Sequence, residues 1–193
     1  DKAAQLLGPG HYFYPELMSR KYIFEGFLKQ LQSPRLNDRE TGNEILKFYR
    51  EALRQQPDNP LTFHFMARVY SNFMADLDSA EAYILKAAEY APSWVLPMGE
   101  FAIDLTTRFH RHEPAKQWLD RAIALDSGSA YLHNQYGVWY SETRRFAEAD
   151  SMFRIAVGYD STNIWYLGNY GYNCERMGNF RESEQTNFKT IRL

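Results

Sequence analysis

The residues of this 193-residue chain with the plainest capacity for chemistry lie in "FHRHEPA" (109–115). His110, His112 and Glu113 bring two imidazoles and a carboxylate close together, a donor set that zinc accepts. No further ligand cluster joins them, and "HEPAK" departs from the H-E-x-x-H pattern that puts two histidines on one helix face. The run therefore reads as a solvated turn, and neither a metal nor a cofactor is expected. The single cysteine, Cys174, excludes an internal disulfide framework and reads as a small hydrophobe filling core space. His11 and His133 have no nucleophile beside them, and Glu182 and Glu184 read as helix surface. "GPG" at 8–10 is a turn, since no strand precedes it to make a phosphate loop. These residues form no catalytic constellation, and the chain is not expected to be an enzyme.

The elements that must position these residues announce themselves by repetition. The segments "FHFMARVY" (63–70), "MGEFAIDL" (98–105), "HNQYGVWY" (133–140) and "LGNYGYNC" (167–174) each set a small residue among large ones. Those small residues are Ala67, Ala102, Gly137 and Gly171, at steps of 35, 35 and 34. A second series, Ala80, Ala115, Ala149 and Ser183, steps by 35, 34 and 34. A third runs Ala52, Ala87, Ala122, Ala156 and Thr190, and a fourth Pro57, Pro92, Ser127 and Ser161. Each period holds two amphipathic segments of about a dozen residues with apolar spacings of three and four, so the unit is a helix–turn–helix. In the fourth unit the helices are expected over about 131–141 and 147–159, with Gly137 making room for the second helix near Ala149.

These units resemble tetratricopeptide repeats, the 34-residue helical-hairpin family. Tyr136, Gly137 and Tyr140, followed by Phe146, Ala149, Phe153 and Ala156, carry the resemblance best, and Tyr170, Gly171, Gly178 and Phe180 extend it. The implied fold is all-α, a right-handed superhelical solenoid of antiparallel helix hairpins. The expected divisions are the tail of an earlier repeat at 1–11, a repeat at 12–59, and further repeats at 60–94, 95–129, 130–163 and 164–193, the last one truncated. Units two and three carry one extra residue near their interhelix turn. The first unit, with Ser19 as its small residue and Gly26 at its turn, holds an insertion at about 27–42, read as a lengthened helix and a polar loop.

In this family the first helix of each hairpin lines a concave groove, and that face here offers amides, aromatics and some arginine. Arg20 comes from the first unit and His64, Arg68 and Asn72 from the second. Tyr131, Asn134 and Gln135 come from the fourth, and Trp165, Asn169, Tyr172 and Arg176 from the fifth. Amides can pair both groups of a peptide backbone, aromatic rings bury area with few rotors to freeze, and Arg20 and Arg68 suit a carboxylate. A protein or peptide partner is therefore expected, held by a non-catalytic scaffold. The Lys/Asn/Arg clamp by which some members hold chaperone C-termini is absent from every three successive units. Only Gln135 and Asn169 fit an asparagine ladder of the kind found in glycosyltransferase-linked arrays.

Bulk properties agree with a protein partner. At 45% hydrophobic and 16% aromatic the chain has ample core material, while a net charge of −2 without a basic stripe argues against nucleic acid. No apolar run approaches the roughly 20 residues that span a bilayer, so membrane insertion by this chain is not expected. The opening "DKAAQLLGPG" lacks an initiator methionine and a leader-like apolar core, and a piece of a longer protein is expected, cytoplasmic or periplasmic. An alternative is the soluble docking or regulatory C-terminal segment of a larger enzyme, such as a bacterial membrane polysaccharide polymerase or ligase. Exposed solenoid ends could also support self-association.

Overall fold

Helix-capping side chains set where several of the elements begin. In the computed structural model, which describes residues 14–33 and 38–191, the side-chain oxygen of Asn59 accepts from the N–H groups of Leu61 and Thr62. Asn163 does the same for Trp165 and Tyr166, Ser129 for Leu132, and Asp76 for Ser79. Each cap satisfies N–H groups that a helix start leaves without an internal partner, a contribution of about 1 kcal/mol. Hydrogen bonding from Ser79 also holds the Asp76 carboxyl below its ordinary pKa.

The chain divides after Pro97 into two compact units. The first contains α1 (Tyr14–Gln32), α2 (Arg39–Gln55), α3 (Pro60–Val69), a π-helical turn (Tyr70–Met74) and α4 (Leu77–Tyr90). The second is built from α5 (Leu96–Thr107), α6 (His112–Leu125), α7 (Ala130–Glu142), α8 (Phe146–Tyr159), α9 (Ile164–Arg176) and α10 (Phe180–Ile191). No strand occurs among the described residues, and none of their helices is long and apolar enough to cross a membrane. The fold is an all-α array of helical hairpins. Helices α7 and α8 begin and end within one residue of the spans expected from periodicity. The readings at 1–13 and 34–37 lie outside the described residues.

Two of the alanine series are contact points. Ala80, Ala115 and Ala149 are fully buried, Ser183 nearly so, and Ala52, Ala87, Ala122 and Ala156 lie within the core. In the first unit the core gathers Ile45, Leu46, Tyr49, Met66, Val69 and Phe73. In the second, Ala149 and Phe153 of α8 meet Tyr170 and Cys174 of α9. Burial raises the Cys174 thiol pKa, as suits a packing residue.

One glycine position agrees with the sequence reading and one corrects it. A Cβ built on Gly137 would lie 2.5 Å from the Phe153 ring, so the missing side chain makes room for the second helix of its own hairpin, through a ring one turn beyond Ala149. Gly26 stands inside α1, not at a turn, because the helix runs on to Gln32; its own Cβ would strike the Tyr49 ring at 2.5 Å. The stretch 27–42 is thus helical at both ends, up to Gln32 and again from Arg39.

The turns inside the hairpins share one device. Arg144 and Gly178 adopt the left-handed conformation, and the next N–H reaches back five residues, Arg145 to Tyr140 and Asn179 to Cys174. Arg144 N–H also donates to Ser141 and Gly178 N–H to Glu175, completing Schellman caps. Where the α3–α4 and α5–α6 hairpins carry one residue more, Ala75 and His110 take the left-handed position. The closing bonds then reach back six residues, Asp76 to Tyr70 and Arg111 to Leu105. In the α3–α4 hairpin the surplus residue is wound into the π-helical turn.

Buried polar bonds stitch one hairpin to the next. Trp139 Nε1 donates to the His112 carbonyl at 2.8 Å, and one repeat later Asn173 Nδ2 donates to the Phe146 carbonyl at 3.0 Å. His112 therefore sits at the start of α6 with its carbonyl engaged, not in a fully solvated turn.

Candidate functional site

The second unit carries the clearest surface. On α9 the sequence places Trp165, Asn169, Tyr172 and Arg176 at spacings of four, three and four, which is one helix face. The opposite face of α9 is buried through Leu167, Tyr170, Gly171, Asn173 and Cys174. Burial on that side leaves Trp165 75% and Tyr172 55% exposed. Asn169, between them, donates from Nδ2 to Oδ1 of Asn134 on α7 at 3.0 Å, fixing the two helices' faces side by side. Asn134 Nδ2 in turn lies 3.4 Å from Oε1 of the half-buried Gln135.

The other expected residues of this unit play different parts. Tyr131 packs its ring over Gly99 of α5, where a Cβ would come within 2.6 Å of it, and burial raises its pKa. Asn134 is only 5% exposed, so it aligns Asn169 and does not itself face a ligand. The pair that forms is Asn134 with Asn169, and not the Gln135 and Asn169 step expected from a 34-residue ladder. Arg176 stacks 5.2 Å from the centroid of the Phe146 ring and 5.9 Å from that of Tyr172. Phe146 was missed as part of this face; its only signal in the sequence is its place at the start of a second helix.

Beneath the face, α9 is locked to α10. Tyr170 donates its hydroxyl to Glu182 at 2.5 Å, and Arg154 pairs with the same carboxylate at 2.9 Å while lying over the Tyr170 ring. Those donors hold the Glu182 carboxyl below its ordinary pKa. One repeat earlier, Tyr136 turns instead to Asp120, the residue that Arg154 replaces in register.

In the first unit the expected residues are mostly engaged within the fold. Arg20 is exposed and ion-paired with Glu16 at 2.7 Å, one turn back on α1. His64 is 3% exposed, edge-on to Trp94 at 5.1 Å, so it packs in the interior and presents nothing. Burial, with Arg68 nearby, pushes its pKa down to about 4. Arg68 lies half-buried beside the Phe65 ring, and Asn72 is half-buried in the π-helical turn.

Among the described residues no cluster of three or more His, Cys, Asp or Glu is gathered as a metal site would need. His110 and His112 have ring centroids 6.3 Å apart.

No family model and no curated protein matches the chain. Solved structures do match in shape. A thermophilic TPR protein of Thermus thermophilus, TTC0263, superposes with a TM-score of 0.69 at 16% identity, over 90% of each chain. PilF of Pseudomonas aeruginosa gives 0.69 at 16% identity, over 92% of this chain and 77% of that one. A tetratricopeptide repeat protein of Parabacteroides merdae gives 0.67 at 14% identity, over 98% and 69%. At such identities the likeness speaks for the fold, which is that of the tetratricopeptide repeats.

Proposed function

We propose that the chain is an interaction scaffold that holds an extended segment of a partner protein along the exposed face of α9. One observation carries the reading: Trp165 and Tyr172 stand exposed on one helix face, with Asn169 held between them by Asn134. Exposed large aromatics with few rotors lose little entropy on binding and bury much area when covered. Asn169 keeps a carbonyl oxygen beyond the amide it donates to Asn134, which suits a peptide N–H. Solenoids use such first-helix faces as extended surfaces for partners.

The test is fluorescence anisotropy with peptides selected from a display library on the whole chain. Trp165→Ala and Tyr172→Ala are expected to weaken binding at least about tenfold each, equivalent to about 1.4 kcal/mol or more. Their thermal midpoints should stay near that of the parent, because both rings are exposed. Peptides whose affinity ignores both substitutions would refute the assignment of this face.

A further inference from the structure

The cation at the end of the α9 face differs from the two stacked arginines of α8 and its entry turn. Arg145 and Arg154 each stack on aromatic rings and also hold a carboxylate, Glu148 at 2.8 Å and Asp150 at 2.8 Å. Arg176 stacks on Phe146 and Tyr172 but forms no ion pair within 4.0 Å among the described residues. Its neighbour Glu175 accepts from Ser183 Oγ at 2.9 Å. Aromatic stacking limits the freedom of a guanidinium while leaving its N–H donors available, and Arg offers those donors as a fork that matches a carboxylate. Exposed Trp165 lies on the same face, eleven residues up the helix. At about 1.5 Å per residue that is about 16 Å, which an extended peptide covers in about five residues.

We infer that the partner segment carries an aspartate or glutamate about five residues from an apolar anchor, the anchor covering Trp165 and the carboxylate pairing with Arg176. The inference rests on the binding reading above and specifies its ligand. Glu142 holds the same helical position one repeat earlier and is exposed, so the α7 end presents a carboxylate where the α9 end presents a guanidinium.

The probe is a set of fluorescein-labelled twelve-residue peptides with one Leu-Trp anchor and one Glu at each spacing from one to eight, beside matched Gln controls. Affinity is expected to peak near a spacing of five, with Glu about fivefold tighter than Gln and the difference shrinking in high salt. Arg176→Gln should bring the ratio of Glu-peptide to Gln-peptide affinity down to about one, while Arg176→Lys keeps part of the preference. Circular dichroism melts check that each variant is folded. A Glu preference absent at every spacing, or unchanged in a folded Arg176→Gln variant, overturns the inference. If peptides bind without regard to Glu yet lose affinity in Trp165→Ala, the scaffold reading stands and only the acidic ligand falls. If none of these peptides binds while library-selected peptides do so through Trp165, the outcome is the same. If no peptide of either source binds, both fall.

Discussion

Gly137 and Gly168 lie in neighbouring first helices and differ in what a side chain would meet. A methyl group on Gly137 collides with the Phe153 ring at 2.5 Å, whereas one on Gly168 meets nothing within 4 Å. Gly137→Leu is therefore expected to lose about 1–3 kcal/mol through overpacking. Gly168→Ala should gain about 0.5–1 kcal/mol from helix propensity alone. Urea unfolding of the two variants distinguishes a packing glycine from an idle one; equal shifts of the same sign would remove the distinction. His64 supplies a second residue-scale test. Its pKa falls from an ordinary 6.5 to about 4 because the buried ring resists charging. The unfolded chain thus binds a proton more readily than the folded one between those values, and stability rises with pH across that window. Stability should be flat in His64 above pH 7 and decline as pH drops from about 6.5 toward about 4. His64→Leu should flatten that decline relative to the parent, read as urea midpoints at pH 5 and pH 7.

At the scale of elements, the turns and stitches make separable predictions. Arg144 holds a left-handed conformation, φ 62°, that costs a side-chain-bearing residue about 1 kcal/mol, and Gly178 holds the equivalent place without that cost. Arg144→Gly should stabilise by up to about 1 kcal/mol and Gly178→Ala destabilise by a similar amount, measured by thermal melting. Asn173→Leu should lose about 1 kcal/mol, since the Phe146 carbonyl loses the side-chain bond that ties α8 to α9. The periodicity of elements was legible because alanine and glycine recur wherever helices touch, and contact geometry allows little else there. Side-chain roles were less so. His64 occupies a groove-facing register, yet Trp94, from the turn after α4, folds over it, and no spacing rule announces that. Asn134 and Gln135 are adjacent and point about 100° apart around α7, so the helix's rotational setting in the packed array decides which amide meets Asn169. The exposed pair Trp165 and Tyr172 was readable from helical spacing, but the Phe146 platform under Arg176 required the packing of two hairpins.

At the scale of the molecule, each of the two units owns a core, Ile45 to Phe73 in one and Ala149 to Cys174 in the other. Stability in repeat arrays is close to a sum over repeats and their nearest interfaces. Residues 96–193 expressed alone are therefore expected to give a helical spectrum with a cooperative melt and to retain the peptide binding of the whole chain. A fragment that is unfolded at 25 °C would show that the units are not independent. The turns inside the hairpins bear on how such a chain can vary over time. A turn that closes over five residues in α7–α8 and over six in α3–α4 delivers the next helix from the same left-handed residue either way. The extra residue is thus taken up before the left-handed position, which closes the elbow in both cases. A residue gained or lost at such an elbow is expected to be tolerated by the face proposed above for a partner, so a lineage could drift out of strict 34-residue step without losing it.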